Sequence, residues 1–178
     1  MNKRAQFNML AAIIVVAMIL GFVSISNSSK KTDLTSLENS KEELEIESRK
    51  VLDYTAYNNL DSSATKDKLV DFTQSYSLYS DTESLYFLFG NNAEITLAAY
   101  RRANPGTISI DYNGDEEIDG EMEIEKQVYT SHDYTPTGTN IDIILNEKTH
   151  EFELEEGQNF YFIITQGDEE SGEYITTG

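Results

Sequence analysis

Hydrophobic and polar residues follow three different patterns along this chain. The first is an apolar run from Met9 to Ile25, broken only by Gly21 and Ser24 and free of Asp, Glu, Lys and Arg. Counted from Phe7, it would rise roughly 28 Å as a helix, at about 1.5 Å per residue, against about 30 Å for a bilayer core. It predicts a transmembrane helix. Lys3 and Arg4 precede it and favour a cytoplasmic N-terminus, with the rest of the chain outside. The second pattern has helical spacing. Leu34, Leu37, Leu44, Val51 and Tyr54 predict a helix over 32–60, although Lys41 and Ser48 interrupt a full coiled-coil seam. Asp61-Ser62-Ser63 supplies a break with capping residues. Leu69, Phe72, Tyr76 and Tyr79 then predict a second helix over 65–79, with that face packed on a sheet.

The third pattern begins at Ser84 and is β. Leu85 to Phe89 is a short apolar strand ending at a Gly90-Asn91-Asn92 turn, with Glu94 to Tyr100 returning beside it. Thr107 to Tyr112 alternates, and Asn113-Gly114 is a hairpin signal. Glu121 to Val128 follows, with Met122, Ile124 and Val128 inward and Glu121, Glu123 and Glu125 outward. Ile141 to Leu145 and His150 to Leu154 form a hairpin about Asn146-Glu147-Lys148. Asn159 to Thr165 is a dense apolar strand, and Tyr174 to Thr176 closes the sheet. Such frequent short strands predict an antiparallel sandwich or barrel-like domain. The predicted fold class is therefore α+β. It has an N-terminal transmembrane helix (1–26), an amphipathic helical stalk (27–82) and an antiparallel β-sandwich-like head (83–178).

Charge sharpens this division. Residues 1–80 hold 9 Lys+Arg and 10 Asp+Glu, whereas residues 81–178 hold 4 and 22, so nearly all of the net −19 belongs to the head. Phosphate would be repelled, which excludes nucleic acid as a partner and disfavours docking on anionic lipid heads. The acidic surface fits solvation, a salty medium or cation binding. The chain has no Cys. That removes thiol catalysis and disulfide staples, so the head must rely on its core or on assembly.

Candidate chemistry is sparse. Asp111, Asn113, Asp115, Glu117 and Asp119 place oxygen ligands at alternating positions, the donor type that Ca²⁺ takes. Glu116 and Met122 stand where an EF-hand loop has Gly and Glu, so this is not that loop. His132 and His150 lack metal-ligand spacing. Nucleophile-elbow and phosphate-loop motifs are absent, and the expectation is a protein that is not an enzyme. Arg101-Arg102 is a basic doublet that fits a strand-end charge pair or an acidic neighbouring subunit. Asn27-Ser28-Ser29 matches the N-glycosylation pattern and reads as a polar collar. Ala17 and Gly21 form a small-xxx-small pair on one helix face, which lets apolar helices approach closely.

Three readings of the N-terminal segment stand side by side. It could be an uncleaved anchor, or a secretory signal cut at Ser24-Ile25-Ser26. The third starts from Lys3-Arg4-Ala5-Gln6, where charge, a small residue and Gln directly precede the helix; a cut after Ala5 would leave that helix on the mature protein. This arrangement resembles the class III signal peptides of archaeal type IV pilin-like proteins. The resemblance implies that a prepilin peptidase cuts between Ala5 and Gln6 and that the apolar helices pack in a filament core. Many type IV pilins carry Glu at the fifth mature position; here that position is Leu10. The order of anchor, helix and outward β head is also similar to that family. The passages Phe72-Thr73 through Tyr86-Phe87-Leu88-Phe89-Gly90-Asn91, and Gly157-Gln158-Asn159-Phe160-Tyr161-Phe162, resemble uncharacterised archaeal membrane-anchored proteins, which bring no assigned activity. The expected function is a pilin-like structural subunit of a filament or pseudopilus at the cell surface. Its implied partners are membrane lipid, the prepilin peptidase and like subunits. The alternative is a monomeric anchored module whose head binds a cation, sugar or protein, with Ca²⁺ as the candidate cofactor.

Overall fold

The computed structural model describes residues 36–80, 82–113, 115 and 117–166, and the backbone of 173–177. The processing residues Lys3, Arg4, Ala5 and Gln6, the run Met9–Ile25 with Ala17 and Gly21, the collar and Leu34 lie outside the described residues. Among the described residues no helix is long and apolar enough to cross a membrane.

From Leu37 onward the chain forms one folded unit. It is α+β, with helix α1 over 36–57 and helix α2 over Ser62–Tyr79. The strands are β1 Ser84–Asn91, β2 Glu94–Arg101, β3 Gly106–Asp111, β4 Gly120–Ile124 and β5 Thr130–Tyr134, then β6 Asn140–Leu145, β7 Lys148–Glu153, β8 Asn159–Gln166 and β9 Glu173–Thr177. They form a five-stranded sheet in the order β5-β2-β1-β8-β9 and a four-stranded sheet in the order β4-β3-β6-β7. Every paired strand is antiparallel.

The layers follow from strand periodicity. Side chains alternate across a sheet, and on β1 both parities are apolar. Tyr86 and Leu88 face the second sheet, sharing one core with Ile95, Leu97, Ile108, Ile110, Met122, Ile141, Ile143 and Ile163. Leu85, Phe87 and Phe89 point the other way, into a core closed by Leu37 and Leu44 of α1 and by Leu69 and Tyr76 of α2. So the first sheet is the middle layer of three. Among the described residues, the second sheet packs its apolar side chains on one side only. Its other side carries Thr107, Ser109, Glu121, Glu123, Asn140, Asp142, Glu151 and Glu153, with no Lys or Arg among them.

The helices sit closer to the sheet than a stalk would. From Leu37 onward the predicted 27–82 stalk is a layer of the folded unit, because its buried residues share the β1 and β8 core. The buried faces also differ from the apolar stripes. On α1, Ser48 and Thr55 are buried and Tyr54 is 56% exposed. On α2, Thr65, Thr73 and Ser77 are buried and Tyr79 is 78% exposed. Small hydroxyl side chains let a helix approach the sheet, and they satisfy themselves locally. Thr55 Oγ1 donates to Leu52 O at 2.8 Å, Thr73 Oγ1 to Leu69 O at 2.8 Å, and Ser77 Oγ to Thr73 O at 2.7 Å.

Local signals set the ends. Asn59 (φ 50) ends α1 in the left-handed region, and the Leu60 N–H reaches back to Thr55 O at 3.0 Å. Asp61 caps α2 by accepting from the Ala64 N–H at 2.8 Å. Gly90 remains inside β1, at φ 137, and a Cβ there would lie 2.3 Å from Glu94 O. The reversal falls instead at Asn92-Ala93, held by Asn91 Oδ1, which accepts from the Ala93 N–H at 2.8 Å. Asn113-Gly114 is not a two-residue turn either: β3 and β4 pair across a loop running from Tyr112 to Asp119. Val128 is exposed, because β4 stops at Ile124. A strand without apolar alternation, β5, follows it and pairs with β2.

Candidate functional site

The acidic loop after β3 is the most concentrated set of potential ligands among the described residues. Alternation makes Ile108 and Ile110 core residues and turns Asp111 to the opposite side, where the loop folds over it and leaves it 2% exposed. The carboxylates of Asp111, Asp115 and Asp119 converge, with one oxygen from each lying within 4.8 Å of the others. Ca²⁺–oxygen distances are about 2.3–2.6 Å, so oxygens on opposite sides of one ion can be about 5 Å apart. The donor type and spacing fit a hard cation held by these three residues.

The same oxygens also build the loop. Asp119 Oδ2 accepts from the Tyr112 N–H at 2.9 Å and the Asn113 N–H at 3.0 Å. Asp111 Oδ1 accepts from the Asn113 N–H at 3.0 Å, and the Asp119 N–H donates to Ile110 O at 3.0 Å. Asn113 turns toward these partners: its Nδ2 donates to Asp119 and its Oδ1 accepts from Thr137 Oγ1. Of the five predicted ligands, the three Asp carboxylates converge, and Asn113 adjoins them through its bond to Asp119. Asn113 serves the loop's hydrogen bonding, and exposed Glu117 stays out of the group, its N–H donating to Asp115 Oδ1 at 3.1 Å. The Tyr112 and Tyr134 rings, 5.3 Å apart, flank the loop, and burial pushes the Tyr134 hydroxyl above its ordinary pKa.

Other sequence candidates land apart. His132 is exposed on β5 of the first sheet. His150 is half-buried on β7 of the second, and burial, followed by the Lys148 charge, lowers its pKa. Arg101 is not a surface residue: it is 4% exposed, and its guanidinium lies over Gly106, where a Cβ would meet Nη1 at 1.5 Å. Arg102 donates to the Ser80 carbonyl, tying the end of α2 to the end of β2.

The structure adds two polar arrangements that no local spacing signals. Lys66 of α2 reaches Asp133 of β5 at 2.8 Å and Glu94 of β2 at 3.0 Å, and Thr96 Oγ1 donates to Asp133 at 2.7 Å. The hydrogen bond to Asp133 is the main reason the Lys66 pKa is raised. Burial would raise the Asp133 pKa, but hydrogen bonds from Lys66 and Thr96 outweigh it and the carboxyl lies below its ordinary value. The second arrangement pairs Tyr129 Oη with Thr73 Oγ1 at 2.7 Å, and burial pushes the Tyr129 hydroxyl up to about 12. That phenol stays protonated at ordinary pH and serves packing. Both arrangements join distant segments whose partners are chosen only in three dimensions.

No known family description, curated protein or solved structure matches the chain.

Proposed function

We propose that this chain is a non-enzymatic, membrane-anchored surface protein of pilin-like build. A prepilin peptidase would cut after Ala5. Residues 6–25 would hold the mature protein in membrane lipid as a single-pass anchor, with Ala17 and Gly21 where like subunits' helices approach. The unit from Leu37 onward would be presented outside. The observation that carries this reading is the order of Lys3-Arg4-Ala5-Gln6, the charge-free run Met9–Ile25 and the folded unit that begins at Leu37. The two apolar cores of that unit support it, since a head without Cys needs such packing to persist outside the cell. The mature N-terminus, measured by mass spectrometry on protein from native membranes, tests it. Gln6 at the start is the expected result. An intact Met1 would leave a plain anchor without prepilin processing, and a start at Asn27 would overturn the anchored reading.

A second reading, a monomeric anchored module whose head takes a cation, is favoured by the convergence of Asp111, Asp115 and Asp119. Calorimetric titration of the full chain with Ca²⁺ tests it. A saturable heat that Asp115→Asn removes supports it, and a heat that Asp115→Asn leaves unchanged, or none at physiological salt, removes it.

A further inference from the structure

We propose that the outward face of α1 is a self-association surface that pairs antiparallel with α1 of a second copy of this chain. The face is defined by what α1 buries. Leu37, Leu44, Ser48 and Thr55 form the seam against the rest of the unit. Directly opposite lies Ile46, a β-branched aliphatic residue left 48% exposed in the middle of the helix.

The charges around Ile46 are arranged about it in a self-complementary way. Successive side chains turn by about 100° around a helix. Glu42 and Arg49 therefore lie on one flank of Ile46, Glu43 and Lys50 on the other, and all four are exposed. On each flank the acid precedes Ile46 and the base follows it, by three or four residues. A twofold axis at Ile46 relates two antiparallel copies. It sets Glu42 against Arg49 of the second copy, Glu43 against Lys50 of the second copy, and the reverse of each. That is the reciprocity an isologous interface requires. Farther out, Asn39 meets Asp53 of the second copy. Parallel pairing would set acid against acid and base against base, which costs stability.

The cations are placed to do this. Arg49 is exposed and has no ion pair among the described residues. Lys50 reaches Glu47 of its own helix at 2.8 Å, an exposed contact that leaves other ammonium donors for a second acid. Helices in contact lie about 8–10 Å apart with Cα atoms about 2.3 Å from each axis, so the two Ile46 Cα atoms would be about 3.4–5.4 Å apart. The upper part of that range, where two facing Ile side chains would hold the helices, is disulfide distance. The pairing makes no demand on residues 1–35 and does not depend on the anchored reading.

Because the chain has no Cys, single-cysteine cross-linking of the full chain in mild detergent is a clean test. Ile46→Cys is expected to form a disulfide dimer at least about tenfold faster than Leu78→Cys, an exposed control on α2. Mixed Asn39→Cys and Asp53→Cys chains are expected to link to each other rather than each to itself. Reversing Arg49 and Lys50 to Glu should slow Ile46→Cys cross-linking about tenfold, and adding Glu42→Lys with Glu43→Lys should restore it. Equal rates at Ile46→Cys and Leu78→Cys would overturn the proposal. So would self-linking of Asn39→Cys, or indifference to charge reversal.

Discussion

Among the described residues, the first sheet has neighbours on both faces and the second on one, and their strands differ accordingly. β1 is apolar at every position from Leu85 to Phe89, because helices lie on one side and the second sheet on the other. β4 alternates, with Met122 and Ile124 inward and Glu121 and Glu123 in water. The contrast bears on the charge as well: among the described residues, the open face of the second sheet carries part of the acidic excess, as the exposed Glu121, Glu123, Glu151 and Glu153. Coverage of the first sheet by α1 and α2 is therefore the feature that most deserves to be broken.

The largest effect is expected at the doubly covered strand. Phe87→Ala removes a fully buried ring whose centroid lies 6.1 Å from that of Phe160, and should cost about 3–5 kcal/mol in urea unfolding of the full chain. Leu44→Ala comes next. As a layer of the folded unit α1 should lose about 2–5 kcal/mol there, whereas a helix standing free of the sheet would lose a few tenths at most. Hydrogen exchange should show α1 opening first in that variant.

Smaller effects concern the polar contacts at the edges. Lys66→Met should cost about 0.5–1 kcal/mol near neutral pH, kept small because both partners are partly exposed and screened by water. The sign with pH follows from the shifts. The lowered Asp133 pKa gives a contribution present above the carboxylate range and lost as pH falls through the folded value. The raised Lys66 pKa gives one present below its ordinary 10.5 and lost as pH rises through the folded value. The gap between Lys66→Met and the unaltered chain should close at either extreme. In the second sheet, Asn146 (φ 48) and Glu147 (φ 66) join β6 to β7 in a two-residue turn. Glu147→Gly should raise stability by about 0.5 kcal/mol, as relief of the left-handed conformation exceeds the entropy lost at glycine. Least affected should be Glu123→Gln on the open face, within about 0.5 kcal/mol of the unaltered chain by thermal unfolding.

Periodicity alone determined the residue types of most elements. Leu85–Phe89, Thr107–Tyr112, Ile141–Leu145 and Asn159–Thr165 read as strands because local apolar spacing reports which side chains avoid water, and Asp61 reads as a cap because its partner is three residues away. What periodicity could not reach is partnership. β5 has no apolar alternation, and only its seat beside β2, with Asp133 held by Lys66 and Thr96, makes it a strand. The buried faces of α1 and α2 were displaced from their apolar stripes because close approach to the sheet favours small Ser and Thr, whose hydroxyls bond to their own helix. The acidic loop shows both limits at once. Its composition named Asp111, Asp115 and Asp119, but an even spacing offered Asn113 and Glu117 on equal terms. Only the folded loop, which turns Asn113 to Thr137 and Asp119 and leaves Glu117 in water, separated them. Local spacing fixes what is apolar; the long-range register of strands and helices decides which polar atoms meet.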